Sequence, residues 1–166
     1  MPITETFHLE SRLTAFLNAL VYERIRPFSR LHPEHPIIKE IALRNDFYAK
    51  ILICVLTRQE PRLASFEFLH PVTDADVLYQ DGLYLYEKWR SMGIDQAAFN
   101  YCQLMNRVLA RVNFTDEDIA DARFPDLCKN EVEIRWFLRG LKTKKSDHKP
   151  TNHQNKKNFK NLALNA

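Results

Sequence analysis

The chain has 166 residues, of which 27% are charged and 45% hydrophobic, and carries a formal net charge of +3. One domain of that size buries about two-thirds of its unfolded surface without disulfide or metal staples. No stretch approaches the roughly 18 consecutive apolar residues of a membrane-spanning helix, and the start, MPITETFHLESR, lacks the basic flank and apolar core of a secretory signal.

Three glycines are few, since average usage would give about twelve, and their scarcity favours long helices over tight hairpins. Cys54, Cys102 and Cys128 lie far apart, each in or beside an apolar pattern. An odd number at such spacing reads as buried, reduced thiols of a cytoplasmic protein. The net charge is unevenly placed. Residues 142–166 hold seven lysines and one aspartate, a net of +6, which leaves −3 on residues 1–141. A mildly acidic body argues against a broad phosphate-binding face on it.

In chain order, Thr4 or Thr6 can cap a first helix that runs to about Arg26 and stops before Pro27. Its apolar stripe is Leu9, Leu13, Phe16, Leu17, Leu20 and Val21. The connection PFSRLHPEHP, with three prolines, reads as extended and stiff. Pro36 then opens a helix to about Thr57, about 33 Å long at 1.5 Å per residue. Within it Phe47–Leu56 is apolar or aromatic at nine of ten positions, with Lys50 the one charge. So apolar a run must be covered on nearly every side, which makes this the central helix of the fold.

Leu63, Phe66, Phe68 and Leu69 mark a short packed piece. Thr73–Asp76 resembles a capping box, and a helix to Met92 closed by Gly93 fits that start. Asp81-Gly82 between VLYQ and LYLY is instead a strong hairpin signal. The caps and the low glycine count favour the helix. Ile94–Val112 is cleanly amphipathic; Thr115–Asp118 opens a short helix that ends before Pro125. A last helix spans about Leu127 to Leu141, acidic at its start and basic at its end, as the helix dipole favours.

The expected fold is therefore all-α: a compact bundle of five to seven helices over residues 1–141, followed by a disordered Lys- and Asn-rich tail at 142–166. The alternative is an α+β fold with a small hairpin at 77–86.

Chemistry is harder to find. There is no G-x-S-x-G, no phosphate-cradling glycine loop, no C-x-x-C and no H-E-x-x-H. His32 and His35 flank Pro33 and so cannot share a helix face. The acidic group Asp74, Asp76 and Asp81 lacks the glycine and closing glutamate of an EF-hand. No metal or cofactor is expected. Residues 114–141 have the outline of a helix-turn-helix, but Arg-Phe-Pro-Asp replaces the tight turn, and Glu131 and Glu133 sit where phosphate would come.

By elimination the first expectation is a non-enzymatic protein-interaction module: an adaptor, chaperone-like or regulatory subunit. Tyr79, Tyr86 and Trp89 would lie on its contact surface, because the aromatics of 79–89 cannot all point inward. Lys142, Lys144, Lys145, Lys149, Lys156, Lys157 and Lys160 would engage an acidic partner. The competing expectation is a nucleic-acid-associated regulator that uses segment 114–141, Arg135, Arg139, Lys142 and the tail. A third is an enzyme whose site only the fold assembles. A second copy of the chain is a further candidate partner.

Overall fold

A computed structural model describes residues 3–69, 75–112 and 127–146. Among them are five α-helices and no strand: α1 (Ile3–Leu31), α2 (Pro36–Thr57), α3 (Ala75–Met92), α4 (Ile94–Leu109) and α5 (Glu131–Ser146). Two 3-10 turns, Leu63–Leu69 and Leu127–Asn130, precede α3 and α5. The fold is a helical bundle, and α2 packs against α1, α3 and α4.

The apolar decapeptide explains that position. Phe47, Tyr48, Ala49, Ile51, Leu52 and Ile53 are all buried, so this part of α2 has no wide face left for water. Lys50 fits because its ammonium pairs with Glu10 of α1. The helix starts at Pro36, with the His35 imidazole accepting from the Ile37 N–H at 3.1 Å. It ends at Arg58, which adopts the left-handed conformation (φ 57°) and lets the Gln59 N–H donate to the Cys54 carbonyl at 3.0 Å.

Two expectations about α1 need correcting. The helix does not stop at Arg26 but runs through Pro27 to Leu31, and Thr4 and Thr6 lie inside it. Proline costs a helix interior about 3 kcal/mol through its lost N–H and its ring. The next turn offsets this: Phe28 is buried, its ring 4.9 Å from His32 and 5.3 Å from His35. The stiff connection therefore shrinks to residues 32–35.

The hairpin is absent. Asp81 and Gly82 lie inside α3, and glycine is there for closeness: a Cβ on Gly82 would come 2.9 Å from Phe66 Cζ and 3.2 Å from Ile51 Cδ1. Phe66 is fully buried between Phe47 and Tyr79, which fastens the first 3-10 turn over α2 and α3. Leu63, expected to pack, is instead 40% exposed. Gly93 serves two helices at once. Its N–H donates to Trp89 at the end of α3, its carbonyl accepts from Ala97 at the start of α4, and its φ of 86° is one that glycine adopts without strain.

The short helix expected from Thr115 to before Pro125 and the capping residues Thr73 and Asp74 lie outside the described residues. So does the tail from 147 onward, but α5 continues past Leu141 to Ser146, so residues 142–146 are helical.

Candidate functional site

The residues expected to form a contact surface on α3 are mostly core. Trp89 is fully buried; its indole N–H donates to Asn100 Oδ1 at 2.7 Å and its ring lies 6.2 Å from Tyr48. Tyr86 is buried too, with the Arg90 guanidinium 5.7 Å over its ring, and Tyr79 is half-buried against Phe66. Trp89 and Tyr86 therefore cannot meet a partner while the bundle is folded. The surplus aromatic falls at Tyr84, 73% exposed, with Val77 53% exposed two turns earlier. These positions are seven apart and share one stripe of α3 with the exposed Asp81 and Lys88.

The basic residues of α5 are also partly committed. Arg139 makes a two-point pair with Asp95 of α4, Nε lying 3.3 Å from Oδ1 and Nη2 on Oδ2. Arg135 lies 2.9 Å from Glu131, one turn back. A cation already facing a carboxylate must give up that pair before it neutralises a phosphate. Lys142 is exposed. Lys144 and Lys145 are in α5 by their backbone, and Lys149, Lys156, Lys157 and Lys160 lie outside the described residues, as does the first half of the helix-turn-helix outline. Its second half carries Glu131 and Glu133 in the first turn of α5.

A polar chain crosses the core. The Tyr101 hydroxyl donates to Asn45 Oδ1, Asn45 Nδ2 donates to Asn18 Oδ1 at 2.6 Å, and Asn18 Nδ2 reaches Asp46 Oδ1 at 3.5 Å. It ties α4 to α2 and α1, and its donors all run toward Asp46. Burial pushes the Asp46 carboxyl above its ordinary range; Asn18 and Lys50 oppose that, and Glu10 adds to it. Burial likewise lifts the Tyr101 phenol well above its ordinary value. Such a network fixes which residues of three helices meet. Cys54, half-buried beside Lys50, has its thiol pushed up to about 12 by burial, which suppresses the thiolate that nucleophilic chemistry needs.

The pattern along the sequence did not single out a groove between α1 and α5. Phe16 and Phe137 stack at 4.1 Å and 7°, with the Arg12 guanidinium 5.9 Å from the Phe137 ring centre. Together with Glu133, Trp136 and Gly140 they border an open, mainly apolar hollow of about 320 Å³. The adjacent Trp136-Phe137 followed by Gly140 was the available signal. Seeing it required knowing that α1 runs antiparallel to α5.

Among the described residues, no three His, Cys, Asp or Glu side chains converge as a metal site, and no helix is long and apolar enough to cross a membrane. No family model, curated protein or solved structure matches the chain.

Proposed function

We propose that the chain is a protein-binding module, an adaptor or regulatory subunit, that offers the outer stripe of α3 to a partner and meets acidic surface on it with the lysines from Lys142 onward. The observation that carries this reading is Tyr84, the most exposed large hydrophobic side chain described, in line with Val77. Neither side chain contributes much to the core from there. A tyrosine ring costs little conformational entropy to immobilise and is among the commonest anchors of protein contacts. Asp81 and Lys88 on the same stripe supply a polar rim. The lysine-rich segment adds steering: its charge is opposite in sign to that of the −3 body, and it attracts acidic surfaces over about a Debye length.

The nucleic-acid reading rests on the same lysines, but it loses strength because Arg135 and Arg139 already face carboxylates. One experiment separates the two. A photo-crosslinking residue replaces Tyr84 in the full-length chain, in the cell of origin. The expected result is a discrete adduct with an acidic protein, lost when the seven tail lysines are changed to glutamine. No adduct at 84, combined with lysine-dependent, salt-sensitive retention on DNA, would overturn the proposal.

A further inference from the structure

We infer that the seam between α2 and α4 binds one phosphate monoester, held by the Arg44 and Arg107 guanidiniums and by the Tyr48 hydroxyl.

The register of the seam brings these groups together. The two helices run antiparallel: Arg111, just past the end of α4, makes a two-point pair with Glu40 near the start of α2, while Tyr101 in the first half of α4 donates to Asn45 further along α2. One turn along each helix from the Glu40–Arg111 pair, Arg44 stands opposite Arg107. Cation against carboxylate has become cation against cation. Among the described residues neither Arg44 nor Arg107 makes a hydrogen bond or an ion pair, so no carboxylate neutralises them.

The second observation is a donor with nothing to donate to. Tyr48, one turn beyond Arg44, is only 7% exposed, its ring 6.2 Å from Trp89 of α3 and 6.1 Å from Tyr101 of α4. Its hydroxyl has no hydrogen-bond partner among the described residues, yet it is not one of the fully enclosed polar atoms. A buried ring therefore carries an open, unbonded tip. Burial raises the ionisation of this phenol above its ordinary value, Arg44 and Arg107 pull it back, and Asp81 adds to the rise. The proton stays on at neutral pH, and both arginines act on the oxygen that carries it.

The donors select the ligand. Two planar forks and one hydroxyl offer more hydrogen bonds than the two oxygens of a carboxylate use well. The three terminal oxygens of a phosphate monoester can accept from all three groups, and a guanidinium fits two of them at once. Its charge of about −1.5 to −2 at pH 7 suits two unpaired cations. A single phosphoryl group needs no broad basic face, so the acidic body is no obstacle. Asp81, the one carboxylate acting on the hydroxyl, holds the affinity down.

Heteronuclear NMR of the full-length chain, titrated with inorganic phosphate at constant ionic strength, gives the test. Saturable shifts are expected at the Arg44 and Arg107 Nε–H groups and at the amides around Tyr48. Arg44→Gln and Arg107→Gln should each weaken binding about tenfold, and Tyr48→Phe by roughly three- to tenfold. None of the three should lower the thermal midpoint, because none removes a hydrogen bond or ion pair within the chain. Asp81→Asn should tighten binding. Glycerol phosphate and a phosphoserine peptide carry the same group, and the tighter of the two names the source as a metabolite or a phosphorylated protein; either order supports the site. Shifts confined to Lys142 onward, shifts that grow linearly with phosphate, or binding indifferent to both arginine substitutions would overturn the inference.

Discussion

Replacing Gly82 by alanine tests why a hairpin signal lies inside a helix. Two effects oppose each other. Alanine in a helix interior gains about 1 kcal/mol over glycine. Its Cβ, however, would stand 2.9 Å from Phe66 Cζ and 3.2 Å from Ile51 Cδ1, where carbon atoms ordinarily rest about 3.5–4.0 Å apart. Phe66 is fully buried, and its ring is held between Phe47 and Tyr79. It cannot swing away, and overpacking of this kind costs about 1–3 kcal/mol. The net expectation for Gly82→Ala is a loss of roughly 0–2 kcal/mol, where each kcal/mol is about 2–4 °C in a chain of this size. The decisive arm is Phe66→Leu, which removes Cζ. In that background Gly82→Ala should change sign and stabilise by up to about 1 kcal/mol, because only the flexible end of Ile51 remains in the way. Urea unfolding of the four proteins, followed by far-UV circular dichroism, gives the coupling energy, expected at about 1–3 kcal/mol. Equal effects of Gly82→Ala in both backgrounds would refute the close-approach account.

Asp46 titrates upward because it is partly buried, so its contribution to stability is present at acid pH and is lost as pH rises through its folded-state value. Asp46→Asn should therefore stabilise the chain at pH 7, with the advantage disappearing below the ordinary carboxylate range; a stabilisation that does not vary with pH in denaturant titrations would contradict this. Tyr101→Phe leaves the fully buried Asn45 without its donor and should cost about 1–3 kcal/mol. Tyr48→Phe, which removes no hydrogen bond in this network, is the comparison in the same unfolding assay. Cys54, its thiol pushed up to about 12, should react with iodoacetamide far more slowly at pH 8 than an unfolded cysteine does, and labelling of the native chain followed by mass spectrometry would show it.

The order of α2, α3 and α4 and the bounds of α2 were legible because their apolar positions recur at helical steps and because Pro36 and Gly93 punctuate them, but α4 ends at Leu109 and not at Val112. What misled was local. Pro27 reads as a stop, yet the buried Phe28 draws the chain through another turn. Asp81-Gly82 reads as a turn because short-range signals cannot report that Phe66, sixteen residues earlier, needs the space. The candidate surface was legible only as a surplus of aromatics over 79–89. Which ring is left outside depends on the angle at which α3 meets α2 and α4. That geometry buries Tyr86 and Trp89 and exposes Tyr84. The α1/α5 groove joins residues more than 100 positions apart, a distance over which periodicity carries no information.

The enclosure of α2 at the centre of the bundle positions the helices around it, and native-state hydrogen exchange measures it directly. The amides of residues 47–56 should be the slowest in the chain and should open only with global unfolding, since helices α1, α3 and α4 all rest on them. Exchange of these amides as fast as those on the outer turns of α3 would contradict the architecture and the surfaces derived from it.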